Sequence, residues 1–395
     1  MSTSLATTIR LRAIQNKTRQ LFENMSDMDY RLQFHPELSP AGWYLGHGLF
    51  MENYWLHEII TGNNEYTADH SLYWPENCPR AQRGPRLPPL KQLLEDLRHQ
   101  QDRNDLLLLE MMAPEDQHPL FRDEYIENHI IQHYACHYED IQMVLNQIAL
   151  KRQQRLRNTS DFRPQHDLRS ISMEKNLTAV EPGDYPVGGK PPVCQDNELP
   201  AHRVQLGGFY IADRPVSNGE FLSFIEDDGY STHELWCDEG WQWRCQHNIQ
   251  QPEYWLQNNS RQWYGINQQG PFELLPDDAV YGLSHYEARA FAHWAGARLP
   301  HEHEWETASR LSRLKNTAQV WEWCANPFYT YEGFRPMPAE HPSTDEALAC
   351  SPAEHPYVLK GGSPFTRPEI KRACFRNFYP PHFRHIFAGL RLVYT

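Results

Sequence analysis

The chain has 395 residues, 40% of them hydrophobic and 12% aromatic, a composition that suits two domains with a core in each and excludes a disordered chain. A formal net charge of −14 with only short basic runs argues against a nucleic-acid partner, because phosphate backbones are read by basic faces. No stretch approaches the roughly 18 consecutive apolar residues that span a bilayer, so no membrane partner is expected.

Met1–Arg12 lacks an apolar signal core. The eight cysteines are scattered and form no C-x-x-C pair. Together these features predict a reduced, cytoplasmic protein.

Residues 1–150 hold few glycines and long helical periodicities. They predict four helices, at about 5–25, 40–61, 89–112 and 118–150. In the second, Ser39 reads as an N-cap and Pro40 as the first helical residue. Trp43, His47, Phe50, Tyr54 and Ile60 then recur at roughly helical spacing. Residues 62–88 form a long loop rich in Pro, Asn and Arg, of the kind that often carries function. The fourth helix places Tyr125, His129, Ile130, His133, His137, Ile141, Val144 and Ile148 on or near one stripe. Helices of this size suggest a bundle, and bundles build metal sites from inward-facing side chains.

Residues 151–179 are polar and read as a linker, with the basic run 151–157 a solvated helix end or linker. From about 180 onward glycines, prolines and tryptophans multiply and short strand-like pieces alternate with turns. Two helices are expected there, near 217–227 and 284–296, the second ending at Gly296. This half, 180–395, predicts an irregular α+β domain.

The chemistry concentrates in the histidines. His133 and His137 are spaced i, i+4, so both imidazoles reach one ion from the same helix face. His47 sits mid-helix between two glycines, which lower helix propensity and let another group approach the backbone. A third imidazole from a neighbouring helix would complete a three-histidine face. Neutral imidazoles suit iron, zinc, copper or nickel, and three ligands leave positions open for substrate and oxygen. Glu139 is the expected partner that orients a ligand histidine. In the loop, Arg80 and Arg83 are spaced to grip a carboxylate.

The order His47 … His133-x3-His137-x-Glu139 resembles the sulfoxide synthases of ergothioneine and ovothiol biosynthesis. Those have a DinB-like four-helix bundle followed by a formylglycine-generating-enzyme-like, C-type-lectin-like domain. Further landmarks of the second domain are Pro215-Val-Ser-Asn-Gly-Glu-Phe, Trp294-Ala-Gly-Ala-Arg-Leu-Pro, Val320-Trp-Glu-Trp323, Leu359-Lys-Gly-Gly-Ser363 and Gly389-Leu-Arg391-Leu.

The resemblance implies an iron(II) cofactor with dioxygen as co-substrate. It implies a reaction joining a thiol to the imidazole ring of hercynine or histidine as a sulfoxide. It also implies that Arg80 and Arg83 bind the thiol substrate's carboxylate, that Asn377 and Phe378 line the imidazole pocket, and that Tyr73 supplies a proton or electron. Cys136 stands where hercynine users often have Gln, and Asn377-Phe378-Tyr379 replaces an Asn-Trp-Asp run. These departures touch both substrates. They leave open a selenol donor with C–Se bond formation, a thiol dioxygenase on the same scaffold, or a non-catalytic binding protein. The resemblance argues against formylglycine generation itself, because Ser363 is followed by Pro-Phe-Thr and not by that chemistry's cysteine pair.

Overall fold

The computed structural model describes residues 3–111, 118–156, 162–173, 176–336 and 355–395. The chain divides into two compact units.

Unit one comprises Met1–Ile148 together with the short segments Pro191–Gln195 and Arg367–Ile370. Its helices are α1 (Thr3–Gln20), α2 (Asp27–Arg31), α3 (Ala41–Asn53), α4 (His70–Tyr73), α5 (Arg80–Arg86), α6 (Leu90–Met111) and α7 (Tyr125–Leu156). The four expected long helices correspond to α1, α3, α6 and α7.

The local chemistry differs from expectation at two places. Pro40 takes the N-cap position of α3 and, having no polar side-chain atom, makes no side-chain cap, while the Ser39 hydroxyl accepts from the Arg83 guanidinium. Beyond Asn53 the helix widens into a π-helical stretch, Tyr54–Ile59, a form that recurs near functional sites.

On α6 the buried stripe is Leu93, Leu97, Gln101, Asn104 and Leu108. Its helical spacing is regular, but its centre is polar. The expected loop 62–88 is not featureless, since it folds α4 and α5 and buries Leu72, Tyr73, Cys78 and Arg83.

Unit two comprises Ala149–Lys190, Asp196–Thr366 and Lys371–Thr395. Helix α7 runs through residue 148 to Leu156, so the start of the predicted linker is helical. Its residues 157–161 and 174–175 lie outside the described residues.

The strands are β1 (Leu177–Val180), β2 (Gly183–Val187), β3 (His202–Leu206), β4 (Phe209–Ala212), β5 (Trp255–Gln257), β6 (Trp263–Asn267), β7 (Gly270–Phe272), β8 (Trp321–Pro327), β9 (Tyr357–Lys360), β10 (Asn377–Tyr379), β11 (Ala388–Gly389) and β12 (Val393–Tyr394). They form sheets of order β1-β4-β12, β10-β9-β8-β11, β2-β3 and β5-β6-β7. The pairings are antiparallel except β11 with β8. Short mixed elements of this kind make the irregular α+β domain the sequence predicts.

Helices α8 (Asn218–Glu226) and α10 (His285–Trp294) match the two expected ones. Both start on a capping box, Ser217 with Glu220 and Ser284 with Glu287, which satisfies backbone donors reciprocally. Two further helices, α9 (Asp238–Gln246) and α11 (Glu302–Arg310), were not expected. The reason is visible in α11. Its buried residues include Glu302, Glu304 and Glu306, and Arg376, Arg298 and Lys360 respectively pair with them. A helix that buries paired carboxylates shows no apolar stripe to read.

A candidate metal centre in the helical bundle

Helix α3 carries His47 and helix α7 carries His133 and His137. Their ring centroids are 5.0, 4.9 and 4.4 Å apart pairwise. One ligating nitrogen from each lies within 4.8 Å of the other two.

His47 is 2% exposed. Its helix tolerates crowding on both flanks because Gly46 and Gly48 have no Cβ. A Cβ at Gly46 would sit 2.4 Å from the Tyr73 hydroxyl, and one at Gly48 would sit 2.7 Å from the Tyr134 ring. The sequence expectation of a close approach at these glycines thus has named occupants.

The imidazoles are oriented from outside the triad. The Nδ1–H of His47 donates to the Tyr73 carbonyl at 2.8 Å, and that of His137 donates to the Asp140 carboxylate at 2.8 Å. Each bond fixes the tautomer, leaving Nε2 as the lone-pair nitrogen. For His137 the orienting carboxylate is Asp140, since position i+3 shares a helix face with His137. Glu139 is buried on the same helix.

Burial, and next the neighbouring His137, push the His47 side chain well below the usual imidazole range. The same forces act on His133, with His47 and His129 adding to them. Both are neutral at physiological pH, the form that ligates.

The donor set fits a divalent ion. The Nε2 atoms of His133 and His137 stand 3.1 Å apart. Metal–nitrogen bonds of about 2.1 Å place adjacent ligand atoms about 3 Å apart. Two lone pairs this close repel each other unless a cation or proton lies between them. His129, one turn earlier, is half-buried with its Nε2 atom buried and unbonded and packs against Trp55 at 5.2 Å. It is not part of the ligand group.

The remaining predicted site residues fall in different surroundings. Tyr73 is 5% exposed and its hydroxyl is buried without a hydrogen bond; burial pushes the phenol far above its ordinary value. Arg80 keeps its side chain 37% exposed, 3.6 Å from the Glu37 carboxylate. Arg83 is turned inward and buried. Cys136 is partly buried on α7.

Asn377, Phe378 and Tyr379 form β10 in unit two. There the Asn377 side chain accepts from the Phe378 amide at 3.0 Å. Phe378 stacks on Phe328 at 3.9 Å within a cluster that includes Cys324 and Val358. Tyr379 stacks against Phe383 at 5.8 Å.

Sequence reasoning missed three features. Trp43 stacks on His47 at 4.4 Å and 11°, and Tyr44 packs against His137 at 5.4 Å. Both are legible only as aromatics at i−4 and i−3 from His47. The third is Glu52, fully buried, which accepts from Gln15 at 2.8 Å, Asn104 at 2.8 Å and Tyr134 at 2.7 Å.

Fold and site thus define a helical bundle with a three-histidine candidate metal centre, followed in the sequence by an irregular α+β domain. The chain belongs to the family of the sulfatase-modifying factor enzyme 1-like domain, whose profile matches residues 165–317 and 314–395. The DinB superfamily profile matches residues 10–141. This is the pair of domains that the motif resemblance implies.

Among curated relatives, the chain is similar to hercynine oxygenase of Mycolicibacterium thermoresistibile, 32% identical over 51% of this chain and 54% of that protein. It is also similar to ergothioneine biosynthesis protein 1 of Schizosaccharomyces pombe, 27% identical over 50% of this chain and 27% of that protein. Formylglycine-generating enzyme of Bos taurus is 33% identical over 37% of this chain and 42% of that protein. The chain spans about half the length of the hercynine oxygenases it matches.

Proposed function

We propose that the protein is a non-haem iron oxygenase that joins a cysteine-type thiol to the imidazole ring of hercynine or histidine, leaving a sulfoxide. The observation that carries this reading is the face of three imidazoles, His47 buried and His133 and His137 half-buried, two oriented from outside through Nδ1 and all three close enough to share one ion. The relatives named hercynine oxygenase support the acceptor.

The reaction balances without an external reductant. The thiol loses its S–H proton and the imidazole its C–H proton. One oxygen atom stays on sulfur, and the other leaves as water with both protons. His47, His133 and His137 would hold iron(II), which would supply the redox chemistry with dioxygen.

The chain's own groups do the rest. Tyr73 O and Asp140 keep two imidazoles aimed at the ion. Arg80, exposed beside Glu37, is the guanidinium assigned to the thiol substrate's carboxylate. Cys136, on α7 beside His137, is assigned to the acceptor.

The Tyr73 phenol is assigned to proton delivery. Its hydroxyl is held protonated by burial and spends no hydrogen bond inside the protein, an arrangement that costs about 1–3 kcal/mol and calls for a reason.

The test is oxygen uptake by the iron-loaded chain with hercynine or histidine and a panel of thiols, with products identified by mass spectrometry. A sulfoxide carrying both substrates is the expected product. Sulfinate alone would make the protein a thiol dioxygenase, and no uptake with any pair would make it a binding protein.

A further inference from the structure

Arg80 and Arg83 are one turn apart on α5, yet the fold treats them differently. Arg80 remains 37% exposed along its side chain. Arg83 is 2% exposed. Its Nε donates to the Cys78 carbonyl at 2.8 Å and its Nη2 to the Pro75 carbonyl at 2.9 Å. Its Nη1 donates to the Ser39 hydroxyl.

Three of its five N–H donors are thus bonded within the protein, which fixes the plane of the guanidinium. That plane presents a face. The guanidinium carbon lies 3.8 Å from the centroid of the Trp43 ring. Trp43 in turn lies nearly parallel to the His47 imidazole, 4.4 Å away at 11°.

Two successive carbonyls from α4 lock this assembly. Leu72 accepts from the indole Nε1 at 2.8 Å and Tyr73 from His47 Nδ1 at 2.8 Å. The plane of His47 is thus set by one hydrogen bond and one stacked ring. The stacked ring is itself set by Leu72 and by Arg83.

We propose that Arg83 is a positioning residue of the metal centre, acting through Trp43 on the plane and donor strength of His47. The inference rests on the three-histidine reading of the site.

Lysine cannot replace this arginine. It keeps the charge but has neither the flat face that stacks on indole nor the fork that reaches three acceptors.

Cobalt(II) titration of the metal-free full chain tests the proposal, with the visible d–d spectrum reporting the ligand field and circular dichroism reporting the fold. Arg83→Lys and Arg83→Met are both expected to bind cobalt about ten- to a hundred-fold more weakly, as is typical when a group behind a ligand is removed, and to shift its d–d bands. Trp43→Phe keeps a ring beside His47 but gives up the bond to Leu72; it should shift the bands in the same sense with a smaller affinity loss. It serves as the second probe if the arginine variants fail to fold. Arg80→Gln should leave cobalt affinity and spectrum at wild-type values.

The proposal is overturned if the folded Arg83 variants, or Trp43→Phe, bind cobalt with wild-type affinity and spectrum. A lowered melting temperature alone, or a raised KM for the thiol alone, would identify Arg83 as a fold or substrate residue and also overturn it. His47→Ala separates the two levels. If that variant holds cobalt as the wild type does, the three-histidine reading itself fails; if it does not while Arg83 variants are normal, only the role of Arg83 fails.

Discussion

Helices α3 and α7 each contribute to two buried polar clusters, one around His47 and His133 and the other around Glu52 and Tyr134. In the second cluster every Glu52 bond has a side-chain donor, and the Gln15 Oε1 is left unbonded. Glu52 accepts from one side chain on each of α1, α6 and α7. Asn104 spends its amide nitrogen on Glu52 and Asn53 and its oxygen on His57.

The first cluster is open at its centre. His47 and His137 have their Nδ1 bonds, but the Nε2 atoms of His133 and His137 meet at 3.1 Å and His47 offers a nitrogen within 4.8 Å of a ligand nitrogen of each. Buried polar groups are normally paired, so a site that turns its acceptors inward is arranged for a cation, and one that pairs donor with acceptor is arranged for the fold. The same two helices therefore hold a joint and a ligand site side by side, joined by Tyr134, which packs on Gly48 and bonds Glu52.

The sharpest way to break this distinction is to remove the ligands. His47→Ala, His133→Ala and His137→Ala should each lose nearly all bound metal, measured by elemental analysis, while circular dichroism stays at the wild-type level. Any one that keeps full metal occupancy takes that histidine out of the centre.

Removing the joint should do the reverse. Glu52→Leu strands the donors of Gln15, Asn104 and Tyr134, each worth about 1–3 kcal/mol. Chemical denaturation should show a stability loss of about 3 kcal/mol or more. A loss below about 0.5 kcal/mol, the scale of an ordinary surface change, would mean that the cluster is not structural.

Glu52 also gives the joint a pH dependence with a definite sign. Burial raises its carboxyl from 4.5 to about 7. A carboxyl raised on folding contributes stability that is fully present below its unfolded value and is lost as pH rises through the folded one. The melting temperature should therefore fall between about pH 5 and pH 8, and Glu52→Gln should flatten that part of the profile. An unchanged slope in the variant assigns the dependence to another group.

Asp140→Asn sharpens the comparison from the other side, because it disturbs the open cluster without deleting a ligand. Weakening a carboxylate behind a ligating imidazole costs about ten- to a hundred-fold in metal affinity. Wild-type affinity would leave His137 oriented by packing alone.

The smallest expected change is in stability, from Tyr73→Phe. It removes a buried hydroxyl that has no partner and should raise stability by about 1 kcal/mol. The same variant should divert product from sulfoxide to sulfinate if the phenol delivers the proton. Unchanged product with a raised melting temperature would leave Tyr73 as an anchor of α4.

Much of this was legible in the chain. The i, i+4 spacing of His133 and His137, the glycines beside His47 and the long periodic runs of the first 150 residues point to a helical metal site, because helical periodicity is a property of local sequence. The domain order follows from motifs that are likewise local.

Contacts between segments distant in the chain were not legible. Nothing in the order of residues says that Tyr73 O rather than a side chain holds His47, or that Glu52 gathers donors from three other helices. Nor does it say that Arg83 faces Trp43 while Arg80 faces outward. Sequence determined which residues share a helix face, since that depends on 100° steps along one element. Only the tertiary structure decided which groups meet across elements, because a guanidinium or carboxylate has the same local signature whether it is solvated or buried against its partner.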